Sequence, residues 1–372
     1  MATDLYPAQR LTAAAEAAAR AGLGALLLTP GPDLRYLTGY DTHPSERITC
    51  LVLPAAGQPS KGAFLVAPRL ELRSVQASPV GGMDVEVVGW DETDNPFELI
   101  SDRLGEVTSV GLADQMWAAM VLRLRAALPA AQQFLASAAL RDMRMRKSPA
   151  EVAALREAGA AIDRVHGQVP GWLRAGRTER EVAADIAAAI VAEGHARADF
   201  VIVGSGPNAA KPHHTASDRV LRAGDAVVVD IGGTMPSGYC SDSTRTYAIG
   251  EPPAELAAYY RVLHDAQEAA CLAVQPGVSA ESVDAAARNP IEAAGYGEYF
   301  IHRTGHGIGL EVHEDPYIVA GNTCPLEPGM AFSVEPGIYP GPHGARIEDI
   351  VVCTADGHER LNLVSHDLTV VA

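Results

Sequence analysis

Aromatic side chains are scarce in this chain: Phe, Tyr and Trp together make up 5% of its 372 residues. A core with so few rings must come from many small aliphatic groups, and runs such as LTAAAEAAARAGLGALLL point to helix-rich layers. Cysteine is also sparse. The five present (Cys50, Cys240, Cys271, Cys324 and Cys353) are scattered, odd in number and include no CxxC pair. That excludes a disulfide framework and a zinc knuckle and fits reduced, buried thiols. Positive charge is in deficit, with 29 Lys and Arg against 46 Asp and Glu for a net −17. A nucleic-acid backbone asks for clustered cations, so nucleic acid is set aside as a partner. No apolar run reaches the ~18 residues of a membrane span, and MATDLYPAQR lacks a basic segment leading into an apolar one. The expectation is a soluble, cytoplasmic protein with no membrane partner.

What is present suffices for a large core, since 48% of the chain is hydrophobic. At about 100–200 residues per domain, two domains are expected. In the first, residues 1–140, a helix over 8–22 is followed by short β-rich runs at 25–29, 48–54, 62–68, 84–90 and 109–113, bounded by Gly and Pro. This is an α/β domain. A basic stretch, RDMRMRK, then leads into Ser148-Pro149-Ala150-Glu151, a capping box with proline at the first helical position. It predicts a helix to about Leu173. Thr178 and Glu181 repeat the device for a helix ending near Gly194, and further helices are expected over about 253–274 and 280–294. The strand segments between and after them make residues 148–372 an α+β domain with antiparallel hairpins.

One hairpin, VVVDIGGTMPSGYCSDSTRTY, carries two aspartates. A fold centred on Pro236 sets Asp230 opposite Asp242 on one face, with β-carbons about 4.5–5.5 Å apart. Like charges so close need a cation or a proton between them. A pair of this kind, taken alone, fits a turn cap equally well. The second hairpin, SVEPGIYPGPHGARIEDI, tips the balance: Glu335 and Glu348 flank its turn almost symmetrically, again inside apolar strands. A carboxylate in a core strand is expensive unless it is paired or coordinates metal. Asp349 is expected on the opposite face, Cys240 as a buried filler, and Glu311 and Lys211 as solvated.

The run from His302 to Glu314, HRTGHGIGLEVHE, adds three histidines in twelve positions, with His306 between glycines that allow close approach to a ligand. Oxygen-rich donors with one imidazole suit two hard or borderline divalent ions better than a structural zinc. Mn²⁺ is the first expectation, with Co²⁺, Zn²⁺ or Fe²⁺ as alternatives. Two such ions activate water and polarise a carbonyl, which is hydrolytic chemistry.

The order Asp230, Asp242, His306, Glu335, Glu348, set in DIG…YCSDSTRT, HRTGHGIGLEVHE, EPGIY and RIED, closely resembles the pita-bread metallopeptidases. The match is best with their proline-specific branch, prolidase and aminopeptidase P. RKSPAEVAALREA resembles the start of their catalytic domain, and the segment with PDLRYLTGY resembles their creatinase-type N-terminal α/β domain. The resemblance implies that those five residues are the metal ligands and that Glu335 is also the general base. It implies that His213 meets substrate, with His214 the weaker candidate, that His313 contacts the scissile carbonyl or its oxyanion, and that His302 lines the proline pocket. Tyr339 and Arg346 match positions whose hydrogen bonds fix the ligands. The Asp230–Asp242 loop is one residue longer than in many members. A homodimer acting on proline-containing peptides is further implied.

The expected reaction is metal-dependent hydrolysis of the bond before proline, in Xaa-Pro dipeptides. The alternatives are an Xaa-Pro aminopeptidase on longer peptides and a non-catalytic peptide-binding protein on the same fold. A dipeptidase must read the free carboxylate of its substrate. Within the loop Gly39–Arg47, Arg47 is a candidate for that contact, with Asp41 orienting its guanidinium; a surface loop whose arginine pairs with Glu46 or Asp41 fits equally well.

Overall fold

The computed structural model describes residues 5–59 and 62–372; residues 1–4, at the start of the MATDLYPAQR stretch, and residues 60–61 lie outside them. The chain divides into two compact units, Met1–Arg144 and Met145–Ala372. No helix among the described residues is long and apolar enough to cross a membrane.

In the first unit, α1 (Gln9–Arg20) leads into β1 (Ala25–Leu28). With β2 (Cys50–Pro54), β3 (Phe64–Pro68), β4 (Glu86–Trp90), β5 (Ser109–Leu112) and β6 (Gln132–Leu135) it forms a mixed sheet in the order β4-β3-β2-β1-β5-β6. All four β1 side chains are buried, and such a strand reads as a continuous apolar run rather than an alternating one. Beyond the elements expected from the sequence are β6 and the helices α2 (Pro32–Thr38), α3 (Leu72–Ala77), α4 (Pro96–Leu104), α5 (Ala118–Ala127) and α6 (Ser137–Met145). The signals for α2 were there: proline opens it and Gly39, at φ 69°, closes it. β6 is an edge strand with mostly exposed side chains, so no burial pattern marks it.

The second unit opens with α7 (Pro149–Gln168). Its capping box is formed: Glu151 N–H donates to Ser148 Oγ at 3.4 Å and Ser148 N–H to Glu151 Oε2 at 2.9 Å. The helix stops at Gln168 rather than near Leu173, because Pro170 has no N–H to give the ladder; a 3₁₀ turn, Val169–Gly171, follows. Ser148→Ala is expected to lower stability by about 1 kcal/mol, read from the urea midpoint with the metal content unchanged.

Three more helices follow in this unit, α8 (Glu179–Ala192), α9 (Ala254–Ala273) and α10 (Ala280–Ala293). β7 (Arg197–Ser205), β8 (Ala226–Thr234), β9 (Cys240–Ile249) and β17 (Thr369–Val371) form a sheet in the order β17-β9-β8-β7. A second sheet runs β11-β10-β12-β15-β16, from β10 (Gly305–Gly307), β11 (Glu314–Ile318), β12 (Ala331–Val334), β15 (Asp349–Thr354) and β16 (Gly357–Arg360). A short ribbon pairs β13 (Gly337–Ile338) with β14 (Ala345–Arg346). Strand alternation decides which way the aspartates point. Val227, Val229 and Ile231 of β8 pack with Ile162 and Val165 of α7 and Ile186 and Ile190 of α8. Ala226 and Val228 face the other core, built on α9 and α10. Asp230 continues that second face.

The first hairpin corrects the expected register. Gly232, not Asp230, lies opposite Asp242, and Asp230 pairs with Thr244. The connection is centred one residue further along than expected: Met235 N–H donates to Tyr239 O at 2.9 Å, and Gly238 at φ 93° closes a three-residue loop. The shift is an even number of residues, so both aspartates keep the same face. In the second hairpin the expected register holds, with Val334 opposite Asp349 and Gly337 opposite Arg346. The ladder opens between those pairs, at the two glutamates. Glu335 N–H donates to Thr304 O at 2.8 Å and Glu348 N–H to Thr244 O at 3.1 Å, tying the split to β9 and to the segment before β10.

Candidate metal centre and its cavity

Five side chains from five segments converge at that split. Asp242, His306 and Glu348 are buried, and each offers a ligand atom lying within 4.8 Å of the others. His306 Nε2 stands 3.1 Å from Glu335 Oε1 and 3.6 Å from Asp242 Oδ2. Asp230 is buried beside them. Its Oδ2 accepts from Arg346 Nη2, while its Oδ1 is buried and has no hydrogen-bond partner among the described residues.

The electrostatics ask for a cation. Burial first, and the neighbouring carboxylates after it, push Asp242 and Glu348 well above the usual carboxylate range; burial also raises Asp230. Glu335 behaves differently. Burial would raise it, but hydrogen bonding to His306 and the charges of His306, His302 and Arg346 hold it at about 2. Four carboxylates with one imidazole and one guanidinium cannot all be ionised there at low cost. The donor set and the orphaned Asp230 oxygen therefore fit divalent metal.

Around these residues, partners fix each oxygen. Thr244 Oγ1 donates to Glu348 Oε2 at 2.7 Å and accepts from Arg346 Nε at 3.1 Å. Arg346 Nη1 donates to Tyr339 OH at 2.9 Å, and Tyr339 OH meets His302 Nε2 at 3.0 Å. Ser333 Oγ accepts from His306 N–H and donates to Glu335 Oε1, both at 3.0 Å. Thr244 and Ser333 were missed in the sequence. Thr244 was within reach, since it follows Asp242 by two and must share its face.

The glycines beside His306 serve a different purpose from the one expected. A Cβ on Gly305 would sit 1.8 Å from Ser333 O, and one on Gly307 2.1 Å from Asp315 O. They let the strands on either side close in on β10 rather than making room for a ligand.

A cavity of about 920 Å³ opens over the cluster. Asp230, Asp242, His306, Glu335, Glu348 and Arg346 line it, with His213, His302, Arg303 and His313, and Phe200, Ile202, Ile301 and Val312 give it an apolar wall. The His313 ring lies 4.1 Å, centroid to centroid, from that of His306. Its pKa is pulled down to about 4, first by desolvation of its inner side and then by the charges of His306 and Arg303. His302 is also lowered by burial, and its Nδ1 lies 2.7 Å from Arg303 O. Tyr339 is not in the wall but stands behind His302. His214 points away from the cavity, its Nε2 2.7 Å from Glu179 Oε2.

Lys211 is exposed, as expected, yet its chain reaches the cavity wall. Glu311 is half-buried in a bend rather than in a strand, with its N–H donating to Glu314 Oε1 at 3.0 Å. Asp349 turns to the opposite side from Glu348, between Arg245 Nη2 at 2.8 Å and His366 Nε2 at 2.7 Å. The Cys240 thiol is buried and pushed up to about 12 by desolvation. In the first unit, the expected pairing of Asp41 with Arg47 does not form. Asp41 meets Arg35 Nη1 at 2.7 Å, and Arg47 binds Glu46 and, at 2.7 Å, Glu92. Glu92 lies 45 positions away in the sequence, where no local pattern signals it.

A two-unit chain whose second unit sets five ligand-type side chains at a hairpin split defines a metallopeptidase of one family. Residues 153–355 match Metallopeptidase family M24 and residues 10–146 the Creatinase/Prolidase N-terminal domain. The chain belongs to that family, whose members use divalent metal ions; its units are a creatinase-type α/β domain and an α+β pita-bread catalytic domain. It is 56% identical to the probable dipeptidase PepE of Mycobacterium tuberculosis, over 98% of this chain and 96% of the other. It is 39% identical to the Xaa-Pro dipeptidase of Lactobacillus helveticus, over 91% and 92%. The crystal structure of dipeptidase PepE from Mycobacterium ulcerans superposes with a TM-score of 0.93 at 56% identity, covering 99% of this chain and 98% of that one.

Proposed function

We propose that this protein hydrolyses Xaa-Pro dipeptides, with Asp230, Asp242, His306, Glu335 and Glu348 holding two divalent ions, Mn²⁺ foremost. The observation that carries the reading is the convergence of these five side chains on the floor of one cavity, with an Asp230 oxygen left without a hydrogen-bond partner among the described residues. The names of the relatives, a probable dipeptidase and an Xaa-Pro dipeptidase, support the substrate class. The ions, when bound, supply Lewis acidity toward a water and the scissile carbonyl.

The chain's own residues do the rest. Glu335 takes the proton of the attacking water and hands it to the leaving imino nitrogen. His313, neutral at pH 7, donates its N–H to the oxygen on which charge develops. His302, steadied by Tyr339, borders the proline ring, and His213 meets the substrate from the loop between β7 and β8. Arg346 holds Asp230 and Tyr339 in place. We also infer a cytoplasmic homodimer, on the strength of the family likeness.

The deciding experiment compares free proline released from Ala-Pro with N-terminal alanine released from Ala-Pro-Ala. Preference for Ala-Pro by tenfold or more supports the proposal. Preference for Ala-Pro-Ala makes the protein an Xaa-Pro aminopeptidase, and cleavage of neither makes it a binding protein.

For the free carboxylate we propose Arg47 as the reader; Asp41, suggested by the sequence as its orienting partner, pairs with Arg35. Exposed ion pairs such as those of Arg47 with Glu46 and Glu92 are weak and exchange readily. Arg47→Ala is expected to lower kcat/KM for Ala-Pro by roughly 10–150-fold and to spare any cleavage of Ala-Pro-Ala. An equal loss on both substrates, or none, removes Arg47 from the site.

A further inference from the structure

Glu179 stands at the first position of α8, fully buried and remote in sequence from every ligand of the metal centre. Six close donors converge on its carboxylate. Oε1 accepts from Ser205 N at 2.8 Å, Ser205 Oγ at 2.7 Å and Asn208 Nδ2 at 3.0 Å. Oε2 accepts from Ser217 N at 3.0 Å, Ser217 Oγ at 2.6 Å and His214 Nε2 at 2.7 Å. A carboxylate offers about four lone-pair sites, so this one is saturated. Burial alone would raise its pKa, but the bonds from Ser217, Ser205, His214 and Asn208 bring it down to about 2.

These donors lie on both sides of His213, from the last residue of β7 to Ser217 within the loop that leads to β8. That loop delivers His213 to the cavity. No hydrogen bond holds the His213 ring among the described residues, so the backbone around it sets its position. On the cavity side, the backbone is held by Arg346, whose Nη1 and Nη2 each lie 3.4 Å from Pro212 O. On the other side, His214 is drawn onto Glu179. Adjacent residues thus point in opposite ways, one into the cavity and one into the carboxylate.

We propose that Glu179 is a positioning residue for the hydrolysis: by clamping the loop on both sides of His213, together with His214, it fixes His213 against the substrate. The inference rests on the substrate role assigned to His213 above. A Glu179→Gln side chain keeps the size but replaces one acceptor oxygen by an NH₂ that faces other donors. The loop must then shift, and a shift of about 1 Å at a reacting centre costs up to about 10²-fold in rate.

The test is a double-mutant cycle on the metal-loaded protein with Ala-Pro as substrate. Glu179→Gln is expected to lower kcat/KM by about 10–100-fold with metal content unchanged, and to have no further effect in a His213→Ala background. The same fold-loss in both backgrounds, or no loss in the first, overturns the inference and leaves the role of His213 standing. Full activity of His213→Ala alone overturns that role, and this inference with it. Should Glu179→Gln fail to give a cooperative melt, His214→Ala removes one of the six bonds. It is expected to cost about threefold to tenfold, again only when His213 is present; a loss independent of His213 contradicts the proposal.

Discussion

Glu348→Ala is expected to abolish proline release, by at least about 10³-fold, and to leave the purified protein short of metal. The carboxylate is buried, its Oε2 fixed by Thr244 at 2.7 Å, and it shares its pocket with Asp242 and His306. Lewis-acid stabilisation of developing charge is worth several kcal/mol, so its loss is of that order in rate. The fold should survive, since the variant deletes one of several crowded carboxylates and leaves the apolar contacts of Ile347 and Val351 in the core. Melting temperatures separate the effects. Metal at 100 times its Kd stabilises a folded protein by about 2.7 kcal/mol. The wild type should therefore show a metal-induced rise that the variant lacks, while the two melt alike in chelator. Near-normal turnover by Glu348→Ala would remove it from the ligand set.

His313→Ala is expected to keep its full complement of metal and to lose about 10²–10³-fold in kcat, the usual effect of removing one preorganised donor to a developing oxyanion. Its ring is packed against that of His306 at 4.1 Å but takes no part in the close carboxylate cluster. With its pKa near 4, it is neutral and able to donate through the neutral range. His302→Ala should also retain metal. Its loss should fall mainly on KM, because its partner Tyr339 stays anchored by Arg346 at 2.9 Å and the metal centre is undisturbed. Isotope-free steady-state kinetics with metal analysis of the same samples decides both, and unchanged turnover in both variants would return the two histidines to a structural role.

The two acidic hairpins show what strand pattern reveals and what it hides. Asp230 and Asp242 were placed in the wrong pairing but on the right face, because face depends on odd or even position and survives a two-residue shift. The register itself depended on Gly238 adopting φ 93°, and a Met-Pro-Ser-Gly turn admits more than one loop length. For Glu335 and Glu348 the register was legible. The opening of the ladder was not, since it is imposed by Thr304 and Thr244, which are distant in sequence. The Glu179 clamp was hidden for the same reason: its donors lie 26 to 38 positions away. Helix starts were the clearest signals of all, because Ser148 and Thr178 carry their caps within four residues.

Proline release is expected to depend on bound metal. Protein stripped with chelator should release no proline from Ala-Pro, and activity should return as Mn²⁺ is added, saturating near two bound ions per chain. Undiminished release by the stripped protein, or none after reloading, would contradict it.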